Sequence, residues 1–188
     1  MKQILFNKAY YEYMNMKHDL EIMAQEFNVD KNDLYYGYDI LLQLSLLNMI
    51  MLDNNITDLE VEFLSKIIDE NDLMKLLSKK TENKIGWSMI KNVDNPKKFI
   101  HSVNSSFQID LVKFINLFTS IDFSTVEDYL NRLKGNIYLI CQKVLEVDGF
   151  DESENDAYKV LSETVFRKMD DLKSISFKSK NISVGQVQ

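Results

Sequence analysis

ILLQLSLLNMIML, residues 40–52, is the stretch whose reading decides the fold, because an apolar run this dense is either a bilayer span or a helix at the centre of a protein core. Asp39 stands directly before it and Gln43, Ser45 and Asn48 interrupt it, which leaves the apolar core short of the ~20 residues a hydrocarbon slab requires. The run therefore reads as a buried central helix. Asp30 and Asp33 offer caps upstream, so the helix is expected over about 31–52. A helix apolar nearly all round must be surrounded by others, each turning one apolar stripe inward.

The flanking sequence supplies such stripes. Upstream, Met16, Leu20, Met23 and Phe27 recur at steps of three and four and predict a helix over 10–27. Downstream, Thr57 opens a third helix to about residue 69, and NDLMKLLSKK, residues 71–80, forms a short fourth. Residues 81–93 have no decisive period. DNPKKFIHSV, residues 94–103, places Pro96 at a first helical position behind Asn95, and the dense apolar spacing of 109–121 is again helical. Ser124 is expected to cap a long segment with the stripe Val126, Leu130, Leu133, Ile137, Cys141 and Val144. Asp151 is expected to cap a last helix with Tyr158, Leu161, Val165 and Met169, antiparallel to it. The prediction is an all-α, single-domain bundle of about seven or eight helices over residues 1–172, with 173–188 as a mobile tail or accessory strand. One Pro and five Gly in 188 residues fit long helices better than a sandwich or barrel. With 45% hydrophobic residues there is enough to fill one core.

The formal charge of −7 comes without a dense Lys/Arg tract, which disfavours a nucleic-acid partner and suits cations or basic protein surfaces. MKQILFN at the start is too short for a secretory apolar segment, and a single cysteine, Cys141, accords with a reducing compartment. A cytoplasmic address is expected. The glycosylation-like triplets at Asn55, Asn104 and Asn181 are then chance.

Two stretches share an organisation. MLDNNITDLEVEF, residues 51–63, and VLEVDGFDESENDAY, residues 144–158, each run from an apolar helix end through Asp and a short turn to a cap residue with Glu three positions on. The pairs Thr57/Glu60 and Asp151/Glu154 match the capping box, in which cap oxygen and Glu each satisfy an orphan amide of the first turn. The twelve-position calcium loop does not fit. Counted from Asp53, Asp58 stands where the loop needs Gly and Leu64 where it needs Glu; counted from Asp148, Ser153 and Lys159 stand there. Capping leaves Asp53 and Asp148 unexplained, since each puts negative charge at a helix C-terminus, where the macrodipole opposes it by roughly 0.3–1 kcal/mol. Either each carboxylate bonds the following turn amides, or a hard cation such as Ca²⁺ or Mg²⁺ compensates them.

A helix ending in Asp, a short turn and an acidic helix start, present twice in an acidic helical chain, resembles the tellurite-resistance TerB-like family over residues 34–170. The resemblance implies two paired helix-loop-helix units whose acidic residues form a metal-binding surface, and a setting in stress response or phage defence. The matching positions are Asp53, Asp58 and Glu60 in the first unit and Asp148, Gly149, Asp151 and Glu154 in the second. The chain departs from the pattern at Asn54, where Gly is expected, and in a second loop one residue shorter than the first.

Other residues give no catalytic apparatus. His18-Asp19 matches the dipeptide of HD phosphohydrolases, but the remaining histidine, His101, lies downstream where that class needs one upstream. Cys141 falls on an apolar stripe, as a small core residue does. Tyr10, Tyr11, Tyr13, Tyr35, Tyr36 and Tyr38 are expected to cover the core with their hydroxyls in water. There is no phosphate-binding glycine loop, paired-cysteine zinc spacing or nucleophile elbow. The expected function is non-enzymatic: a cytoplasmic module binding a divalent cation, a partner protein or both through an acidic face. The alternative is a metal-free interaction scaffold.

Overall fold

The computed structural model describes residues 2–52, 57–59, 62, 93–117 and 123–146. Within them lie five helices and no strand: α1 (Lys2–Phe27), α2 (Lys31–Leu52), α3 (Pro96–Ser106), α4 (Gln108–Asn116) and α5 (Phe123–Leu145). The expected fourth helix, the last helix and the tail lie outside the described residues. Of the third, Asp58, Leu59 and Glu62 are described and helical.

α2 is the central helix the sequence indicates. Every residue from Ile40 to Met49 is buried, including Gln43, Ser45 and Asn48. Buried polar groups need partners. Ser45 donates to the Leu41 carbonyl at 2.7 Å and Asn48 to that of Leu44 at 2.6 Å. Asn48 and Asn104 on α3 also exchange amide bonds, 3.0 Å in each direction, so the polar interruption of the apolar run ties α2 to α3. No helix among the described residues is long and apolar enough to cross a membrane.

α1 begins well before the expected residue 10, because Leu5 and Ala9 are buried and carry the stripe of Met16, Leu20 and Met23 toward the chain start. It closes at Asn28, whose φ of 52° is in the left-handed region that Asn tolerates, while Val29 N–H donates to the Ala24 carbonyl at 3.1 Å in a Schellman closure. Asp30 then accepts from Asn32 N–H at 2.8 Å and opens α2. α3 starts as its sequence dictates, with Asn95 accepting from Lys98 N–H at 3.0 Å and Pro96 in the first turn. Phe107, fully buried, separates α3 from α4. α5 starts one residue before Ser124, which is therefore inside the helix instead of capping it.

Two cross-helix ladders set directions. Along α1, Glu21 pairs with Lys31 and Lys17 with Asp39, so α1 and α2 are antiparallel. Glu26, Asp19 and the Glu12 carbonyl meet Tyr129, Arg132 and Asn136, so α1 and α5 are antiparallel too. Hence α2 and α5 run the same way, joined side by side where Tyr38 donates to Asn136 at 2.6 Å. Their C-terminal ends, Leu52 and Leu145, and the N-terminal end of α1 share one end of the bundle.

Candidate functional site

That common end is where the two acidic turns leave the core helices in sequence. Of the candidate metal ligands, Asp58 is described: it is exposed, between the half-buried Thr57 and a Leu59 that packs on the core. Asp53, Glu60, Asp148, Asp151 and Glu154, and Gly149 with them, lie outside the described residues. Among the described residues no three His, Cys, Asp or Glu side chains come together as a metal would need.

The described structure holds two further polar centres. At the α1–α2 interface, Lys17 Nζ lies 2.5 Å from Asp39 and 4.5 Å from the centroid of the Tyr35 ring, with the Tyr13 and Tyr38 rings at 5.2 and 5.7 Å. Tyr13 also donates to Asp39 at 3.0 Å. A cation so enclosed by ring faces and one carboxylate is held electrostatically with little water. This corrects the expectation for the tyrosines. Tyr38 is fully buried with its hydroxyl on Asn136, and Tyr13 and Tyr35 surround the lysine, while Tyr10, Tyr11 and Tyr36 do reach solvent. Burial, and then the neighbouring Tyr13 and Asp39, push the Tyr38 hydroxyl well above its ordinary pKa. No helical period flags this cluster; the signal was Tyr13 and Lys17 one turn apart, facing Tyr35 and Asp39 one turn apart.

The second centre is an open cleft of about 420 Å³ between α1 and α5. Its walls include Glu12, Asn15, His18 and Asp19 from α1 and Arg132, Gly135 and Leu139 from α5. Arg132 donates to Asp19 at 2.6 Å and lies 5.4 Å from the Tyr129 ring centroid, so Asp19 serves an interhelical ion pair. His18 is exposed at the rim. Cys141 is fully buried and burial pushes its thiol far up, the behaviour of a core residue and not of a nucleophile.

The outward face of α1 is unusual in composition. Ile4, Tyr10, Tyr11, Met14 and Ile22 are all more than 40% exposed, and the side chains of Lys8, Glu21 and Glu26 are exposed on the same helix. Interface cores are likewise enriched in Tyr and Met. Comparison of the chain with known family models, with curated proteins and with solved structures finds no match.

Proposed function

We propose that this chain is a TerB-like, non-enzymatic module of the cytoplasm that binds a divalent cation, a partner protein or both at the end of the bundle where α2 and α5 terminate. The observation that supports it is the parallel course of those two helices, which brings Leu52 and Leu145, the last residues before the two acidic turns, to one end. Antiparallel helices would have separated the turns by the length of the bundle. The donor set Asp53, Asp58, Glu60, Asp148, Asp151 and Glu154 is wholly carboxylate, which fits Ca²⁺ or Mg²⁺ and not the nitrogen and sulfur preference of Zn²⁺.

The metal-free scaffold has its own support. The N-terminal end of α1 comes to the same end, and its first-turn amides, which have no partner within the helix, carry the positive pole of the helix dipole, which can offset acidic turns without an ion. Calorimetric titration with Ca²⁺, Mg²⁺ and Zn²⁺ separates the readings. The metal reading expects heat with Ca²⁺ or Mg²⁺, weakened strongly by Asp53→Asn or Asp148→Asn, with the double variant losing little more than either single. No heat and no thermal shift at millimolar ion eliminates it and leaves the scaffold.

A further inference from the structure

We infer that Tyr13 is where a one-electron oxidation of this chain comes to rest, with Tyr10 as the entry from solvent and Asp39 as the acceptor of the phenolic proton. Tyrosine rings form a line from the surface into the core. Tyr10 is 43% exposed, its ring centroid lies 6.5 Å from that of Tyr13, and Tyr13 lies 5.8 Å from the fully buried Tyr38. Electron transfer falls off steeply with separation, and rings this close exchange an electron hole in short steps.

The proton decides where the hole stops. A phenol that loses an electron becomes a strong acid, so the oxidation is completed only where a base takes the proton. Tyr38 donates to the Asn136 amide oxygen, a weak base, in a site where burial penalises charge. Tyr13 donates to the Asp39 carboxylate at 3.0 Å. The Lys17 ammonium, 5.2 and 5.7 Å from the Tyr13 and Tyr38 ring centroids, makes a positively charged ring costlier still, so the electron leaves together with the proton.

The step balances. Tyr13 gives one electron, across the Tyr10 ring, to a one-electron acceptor in solution, which is reduced. The Tyr13 O–H bond breaks as an O–H bond forms on Asp39 Oδ1, leaving a neutral tyrosyl radical beside a carboxylic acid. Asp39, whose side chain is 19% exposed, passes the proton to water and regains its charge beside Lys17. Tyr129 supplies a contrast: it also donates to a carboxylate, that of Glu26, at 3.0 Å, but this pair is exposed and packs edge-on against Phe27, a ring far harder to oxidise. The acidic turns take no part, so this inference and the cation reading stand or fall separately.

Oxidation of the full chain by photogenerated tris(bipyridine)ruthenium(III), with freeze-quench electron paramagnetic resonance, tests the assignment, and circular dichroism confirms that each variant is folded. The wild type is expected to hold a tyrosyl signal that outlives the radicals of exposed tyrosines. Tyr13→Phe, which keeps the ring and its packing, should abolish that persistent signal. Tyr10→Phe should slow its appearance severalfold, and Tyr129→Phe should leave it unchanged. Asp39→Asn should remove most of the yield, and Asp39→Glu should restore it in part; where the Asn variant does not fold, Tyr13→Phe decides. A wild type without a persistent tyrosyl signal, a signal that survives Tyr13→Phe, or a folded Asp39→Asn with undiminished yield would each overturn the inference.

Discussion

Gly37 and Gly135 lie on neighbouring helices, and the space over each is opposite in kind. A Cβ built on Gly37 of α2 would fall 2.0 Å from Cδ2 of Phe114 on α4, inside the ring's own volume, whereas one built on Gly135 of α5 meets nothing within 4 Å. The first glycine is required by packing and the second is not. Gly37→Ala should destabilise the fold by about 1–3 kcal/mol as Phe114 is displaced from a site where it is 2% exposed. Gly135→Ala should stabilise by about 0.5–1 kcal/mol, because Ala loses less backbone freedom in a helix. Thermal or urea denaturation of the two variants checks the pair, and a Gly37→Ala as stable as wild type would show that the ring is not held there. From the sequence, both were simply glycines inside helical patterns. What separates them is Phe114, distant along the chain, which no local reading can place.

α2 is the element on which the other four helices converge, and its most informative contact is polar. Tyr38 donates to Asn136 of α5 at 2.6 Å, and Asn136 donates in turn to the Glu12 carbonyl of α1 at 2.7 Å, so one amide joins three helices in the buried interior. Asn136→Ala leaves the Tyr38 hydroxyl without its acceptor, and should cost about 1–3 kcal/mol. If the hydroxyl is the reason, Tyr38→Phe in the same background should cost little more, and denaturation of the double variant is expected to show clear non-additivity. Additive losses would refute the shared network. The elements themselves were largely legible: the dense run 40–52 is helical and buried from Ile40 to Met49, Asn95 caps the helix that Pro96 begins, and Leu130, Leu133, Ile137, Cys141 and Val144 are buried as their spacing dictates. The missed start of α1 has a plain cause. Between Ala9 and Met16 the inward position of the stripe falls on Tyr13, half-buried against the core with its hydroxyl on Asp39, so no aliphatic residue carries the period there.

At the scale of the molecule, the pairing pattern is what the sequence did not disclose. Periodicity predicts that α1, α2 and α5 each bury a stripe, but not that α1 runs opposite to both others, since direction is set by Lys17–Asp39, Arg132–Asp19 and Tyr38–Asn136 acting together. The same limit holds for the candidate site: the acidic turns can be read as motifs, whereas the common end of α2 and α5, the helices that precede them, depends on that topology. The topology also orders events in time. α1 and α2 form a hairpin whose contacts close over short loops, whereas the α1–α5 bonds join residues 103 to 124 positions apart and must await loop closure through the whole intervening chain. During synthesis the hairpin is complete long before α5 emerges, and it holds an all-round apolar helix covered on one side only. Pulsed hydrogen exchange during refolding should find amides of α1 and α2 protected before those of α5; simultaneous protection would show instead that the hairpin has no standing of its own. A newly made copy thus passes through an interval in which its own central helix is its greatest aggregation hazard, and the speed at which residues 123–145 arrive sets how long that interval lasts.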